Sequence, residues 1–143
     1  MSNFDAFLTF ANHVKSKVDE TPSLGLSVII EKQEIPARPY ISIESGVSRS
    51  FGIWQESSFC NIRLCVERNS TEPLAVTVGR LVKSLIKRIS DNGNLIKYDY
   101  TQSSPIAIGS VLYRYIGTSP DLSDDPLNTE IVLQFELFTN SSS

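Results

Sequence analysis

Hydrophobic residues recur every three or four positions in two parts of this chain and every second position in most of the rest. Phe4, Phe7, Leu8, Ala11, Val14 and Val18 mark one face of an amphipathic helix of about five turns, capped by Ser2 or Asn3. Asn12, Lys15, Ser16, Asp19 and Glu20 fill its other face, and Thr21-Pro22-Ser23-Leu24-Gly25 stops it. The second helix follows a cap at Ser70 or Thr71, with Pro73 in its first turn. Its stripe is Leu74, Val78, Leu81, Val82, Leu85, Ile86 and Ile89, and Asp91-Asn92-Gly93 ends it with left-handed turn chemistry.

Between the helices, Leu26–Lys32 and Pro39–Glu44 read as short strands, separated by the ladder-breaking Pro36. Residues 45–58 read as a long loop or a protruding hairpin, rich in Ser and Gly yet carrying Phe51, Ile53 and Trp54. Cys60, Ile62, Leu64 and Val66 alternate with polar residues as a half-buried strand. Three more strands are predicted at Leu95–Thr101, Ser110–Ile116 and Thr129–Thr139. A polar, proline-bracketed loop, Gly117–Pro126, separates the last two. The order is α-β-β-β-α-β-β-β. It predicts an α+β fold: a mostly antiparallel sheet of about six strands with both helices on one face. One domain covers residues 1–140, with a flexible tail at 141–143. The other sheet face mixes Tyr98, Tyr100, Leu112, Val132 and Phe138 with Arg114, Gln134 and Glu136, a composition suited to meeting another protein chain.

Length and charge narrow the functions. The chain has 143 residues, enough to bury a core without a disulfide or metal staple, and its net charge is −3. That balance argues against a dedicated duplex-DNA binder. No apolar run has the length of a membrane-spanning helix, and the opening Met1-Ser2-Asn3-Phe4-Asp5 lacks the basic stretch of a signal peptide. Cys60 and Cys65, five residues apart on one strand, are about 16 Å apart and on opposite faces. They cannot bridge each other, which suits free thiols in a reducing compartment.

Candidate chemistry is sparse. His13 is the only histidine and reads as a helix-surface residue, so neither a zinc site nor a histidine-based nucleophile is expected. Gly46 and Gly52 belong to no phosphate loop, and Asp121, Asp124 and Asp125 lack calcium-loop spacing. No catalytic, cofactor or metal residue is expected. An enzyme would have to use a carboxylate pair such as Asp124 with Glu130, unaccompanied by a second catalytic group. Arg80, Lys83, Lys87 and Arg88 stripe the second helix. That is either an anion- or nucleic-acid-binding stripe or a solvated face whose cations sit near the helix C-terminus. With Tyr98 and Tyr100 it keeps a small nucleic-acid-binding module open as an alternative, although Asp99 stands between the two tyrosines.

The element order, the length, the acidic balance and the pattern Tyr113-Arg114-Tyr115-Ile116-Gly117, acidic loop, Ile131-Val132-Leu133-Gln134-Phe135-Glu136-Leu137 resemble the tail terminator (tail completion) proteins of long-tailed bacteriophages. The resemblance covers essentially the whole chain and is one of architecture rather than motif. It implies a virion protein, made in the host cytoplasm, that forms a homo-hexameric ring on the tail tube. The ring ends tube elongation and offers a docking surface to a head-completion or neck protein. DNA passes through it without specific binding, and no cofactor or membrane is involved. Another neck or tube-like subunit is the nearest alternative. On this reading two arms reach neighbouring subunits: Phe51, Ile53 and Trp54 as aromatic and apolar anchors, and Asp121, Asp124 and Asp125 as partners for cations. Arg114 joins them as a candidate interface residue.

Overall fold

The computed structural model describes residues 2–31, 34, 37, 39–51, 55–68, 72–125 and 127–140. Helix α1 spans Ser2–Asp19, and a single 3-10 turn at Pro22–Leu24 leads into β1, Ser27–Ile30. Then come β2 (Tyr40–Phe51), β3 (Gln55–Glu67), α2 (Leu74–Ile89), β4 (Asn92–Asp99), β5 (Ile106–Thr118) and β6 (Asn128–Asn140). The six strands form one sheet in the order β1-β2-β3-β6-β5-β4. All pairs are antiparallel except β1 with β2, which run parallel in the register Ser27 to Tyr40 and Ile30 to Ile43. The α+β class and the element order match the expectation from the hydrophobic pattern.

One core lies between the helices and one sheet face. The inward rows of the sheet supply Ile41 and Ile43, then Cys60, Ile62, Leu64 and Val66, then Leu133, Phe135 and Leu137, with Val111 and Tyr113 beyond. The helices press Phe7, Ala11, Val14 and Val18 of α1 and Leu81, Leu85 and Ile89 of α2 onto them. The α1 stripe was too narrow as read from spacing. Phe10 is fully buried, with ring centroids 5.0 Å from both Tyr113 and Phe135. Each such ring removes about 150–250 Å² from water, so this cluster anchors α1.

Several predicted boundaries move. Of the two readings of residues 45–58, the protruding hairpin holds and the long loop does not: β2 and β3 run on with Phe51 paired to Gln55. A register shift between Ser45 and Ser48 bends it, and a Cβ at Gly46 would sit 2.9 Å from Phe59 Cβ, which explains the glycine there. Helix α2 ends at Ser90, whose φ of 77° supplies the left-handed step. Asn92 and Gly93 already belong to β4. At the other end Pro73 occupies the cap position and no side chain among the described residues caps the helix, while Ser70 and Thr71 lie outside the described residues. Strand β5 begins at Ile106, earlier than the predicted Ser110, because Ile106, Ala107 and Gly109 extend the ladder to β4.

Candidate assembly surfaces

The sheet face away from the helices carries one of the candidate contact residues, Arg114. Arg114 of β5 stands beside Glu136 of β6, and its Nε and a terminal nitrogen donate to Glu136 Oε1 at 3.0 and 2.8 Å. Ser57 Oγ of β3 donates to the other carboxylate oxygen at 2.7 Å, so Glu136 is bonded from both neighbouring strands and buried. The Arg114 guanidinium also lies 5.5 Å from the Phe138 ring centroid. Further along the face, Arg63 bridges Glu130 at 2.5 Å and Glu44 at 3.5 Å.

Next to this ladder of charges is an apolar patch. Ile96 and Leu112 are 57% and 50% exposed, and the register sets Leu112 against Phe138. A hollow of about 490 Å³ lies among Asn94, Leu112, Arg114 and Phe138. Ile116, further along β5, is also exposed. Of the aromatic residues expected on this face, Tyr98 and Tyr100 instead stack edge-on at 6.0 Å beside α1, lining a groove with Asn12, His13 and Ser16.

The acidic arm is ordered by its own carboxylates. Asp121 Oδ1 accepts the backbone N–H groups of Ser123 and Glu130, which holds its carboxyl below the usual range. Asp125 accepts from Leu127 N and Asn128 Nδ2. Ser119 and Leu122 donate to Val132 O and Glu130 O, so the loop runs along β6 as an irregular continuation of the sheet. Only Asp124 is exposed with no hydrogen bond or ion pair among the described residues. The other arm, the β2–β3 tip, carries Phe51 at the end of β2; its side chain, together with Ile53 and Trp54, lies outside the described residues. Gln55 pairs with Asn140 and Glu67 with Asn128, so the two arms sit at opposite ends of β6. They are separated by roughly 35–40 Å of strand. Arg114 therefore belongs to neither arm, and the candidate residues do not form one site.

Other groups are placed differently from their sequence reading. His13 is half-buried rather than a surface residue. Its ring lies 5.6 Å from Tyr113, and Nε2 is 3.4 Å from both Tyr113 Oη and Ile89 O. Burial lowers its pKa. Tyr113 Oη donates to Ile89 O at 2.5 Å, satisfying a carbonyl at the end of α2. Lys97 is fully buried, with Nζ donating to Thr139 Oγ1 at 2.8 Å. No hydrophobic pattern could signal that burial, because alternation marks apolar side chains only.

The cationic stripe on α2 is shorter than its spacing suggests. Arg80 pairs with Glu72 at 2.6 Å, and the guanidinium holds the Glu72 carboxyl down at about 2. Lys83, Lys87 and Arg88 remain without an ion pair among the described residues. Of the Asp124–Glu130 carboxylate pair, Glu130 is held by Arg63 at 2.5 Å. Both cysteines are buried and form no disulfide, and burial raises the Cys60 thiol far above the reactive range. Among the described residues no group of three His, Cys, Asp or Glu side chains could hold a metal, and no helix is long and apolar enough to cross a membrane. No protein-family model and no curated protein matches this chain.

Proposed function

We propose that this chain is a structural assembly subunit: a ring-forming cap for a tail tube, of the tail terminator kind, that ends tube elongation and presents a joining surface to the head. The observation that carries the reading is the sheet face away from the core. It displays exposed Ile96 and Leu112 beside Phe138 and a ladder of arginine–carboxylate pairs, a mixture that fits a protein contact with an apolar centre and polar rim. Termination is physical rather than chemical. The cap is complementary to the exposed end of the tube on one side and not on the other, so the next tube subunit finds no seat. The net charge of −3 suits a lumen through which DNA slides without being held.

The test is native mass across protein concentration, with and without magnesium, followed by imaging. A closed hexamer seen as a hollow annulus, and binding of that annulus to tube ends, supports the cap. Open-ended rods would identify a tube-like subunit instead. A chain that neither closes into rings nor binds tube ends would sink the proposal.

A further inference from the structure

The β4 end of the sheet is open in a way that monomeric proteins avoid. Tyr115 N donates to Asp91 O across 2.6 Å, and the register continues with Gly93 opposite Tyr113 and Leu95 opposite Val111. In a strand the N–H and C=O groups of successive residues point to alternate sides. Those of Asn92, Asn94 and Ile96 therefore point away from β5. Tyr98 shows the same parity: its N–H points outward and is capped by Thr9 Oγ1 of α1 at 3.1 Å. Helix α1 thus closes the edge at Tyr98, and no group among the described residues closes the stretch from Asn92 to Ile96. That leaves about 14 Å of edge.

The usual protections are missing from this stretch. Asn92-Gly93-Asn94-Leu95-Ile96 has no proline and no charge, and the only register shift between β4 and β5 lies beyond it, between Lys97 and Tyr98. The one cation of β4, Lys97, is turned inward and buried. Beside the edge runs a groove of about 440 Å³ between α1 and β4, with Asn12 and His13 on its wall. A strand laid along β4 would put alternate side chains into that groove and the others beside Ile96 and Leu112, enlarging the apolar patch.

The opposite end of the sheet has a matching deficit. β1 covers β2 only from Tyr40 to Ile43, and the bond from Glu31 N to Ile43 O ends that ladder. The Glu31 carboxylate then takes the N–H and hydroxyl of Ser45. Beyond it, from Val47 to Phe51, the outer side of β2 pairs with no described strand. This stretch is as long as the open part of β4.

We infer that the free edge of β4 in one copy takes up the Val47–Phe51 strand of a second copy. A different patch on each partner meets, so the contact is heterologous and repeats around an axis instead of ending at a pair. The inference rests on the ring-forming reading above and names the contact that joins its subunits.

Two edge variants and one cross-link test it. Ile96→Pro removes an outward N–H that the fold itself does not use, and Ile96→Lys keeps the backbone and charges the edge. The wild type is expected above the monomer mass of 15.9 kDa by light scattering, with both variants falling to it while keeping their circular dichroism. If the proline variant fails to fold, the lysine variant decides. Asn94→Cys mixed with Ser48→Cys or with Ser50→Cys is expected to form a disulfide between copies in at least one mixture and in none of the single variants. The native cysteines are buried and stay out of the reaction. A wild type that is monomeric at every concentration, variants that keep the wild-type mass, or cross-links only between like copies would each overturn the inference. Rings that survive both edge variants sink this contact and leave the cap standing. Edge-dependent oligomers that bind no tube end do the reverse.

Discussion

Replacing Gly93 by alanine sets two effects of opposite sign against each other, and the geometry decides between them. A Cβ at Gly93 would lie 2.7 Å from Tyr113 Cε1 and 2.8 Å from Cζ and Oη, where carbon contacts normally rest at about 3.5–4.0 Å. The ring cannot swing away cheaply. Its hydroxyl is bonded to Ile89 O, and its faces meet Phe10 at 5.0 Å and Phe135 at 6.2 Å between centroids. Overpacking of this kind costs about 1–3 kcal/mol. Against it, alanine restricts the unfolded chain and returns about 0.4–1 kcal/mol, since Gly93 has no positive φ to lose. The net expectation is destabilisation by about 1–2 kcal/mol. Urea unfolding should show a lower midpoint with an unchanged slope. In a Tyr113→Leu background the ring is gone, so the same alanine should cost almost nothing and the double-mutant cycle should show coupling of about 1 kcal/mol or more. Gly93→Ala within about 0.5 kcal/mol of wild type, or no coupling, would refute the packing argument.

Three other outcomes follow from the same contacts. His13 has its pKa lowered by burial, so the unfolded chain binds the proton first. Stability should fall as pH drops below about 6.5 and level off once the folded pKa is passed, and thermal melts of His13→Gln should lack that segment. Glu136→Leu should cost about 1–3 kcal/mol because it strands the buried Ser57 hydroxyl, whereas Arg114→Ala, removing an exposed partner of the same carboxylate, should cost no more than about 1 kcal/mol in urea unfolding. Asp121→Ala should speed hydrogen exchange at the Ser123 and Glu130 amides that its carboxylate accepts, while Asp124→Ala leaves exchange at both unchanged.

Where burial follows from apolar periodicity, the sequence was readable. The α2 stripe Leu81, Leu85 and Ile89 and the β6 row Leu133, Phe135 and Leu137 lie where their spacing puts them. Legibility fails where burial comes from elsewhere. Lys97 is covered although charged, and His13 is drawn inward by a carbonyl at the end of a helix 76 residues away. The start of β5 was placed too late, at Ser110, because Gly109 joins the ladder without a side chain to mark it. The proposed contact surface was half legible. Arg114, Leu112 and Phe138 share a face by strand parity, but parity cannot show that Glu136 already holds Arg114. Nor can composition show that Asp121 and Asp125 are spent on shaping their own loop.

The position of β6 has a consequence for how this chain acquires its shape. β1, β2 and β3 make one half of the sheet and β4 with β5 the other, and β6 alone is hydrogen-bonded to both. It also comes after both in the chain, with Ser57 opposite Phe138 and Leu64 opposite Ile131. During synthesis two half-sheets with bare flanks wait for their shared strand, and its ladder to β3 closes over about half of the polypeptide, with Gln55 opposite Asn140 and Glu67 opposite Asn128. Such long-range closure makes folding slow and late rather than progressive. Refolding followed by pulsed hydrogen exchange should therefore protect both half-sheets in one step with β6, and early protection of the β2–β3 hairpin alone would contradict this.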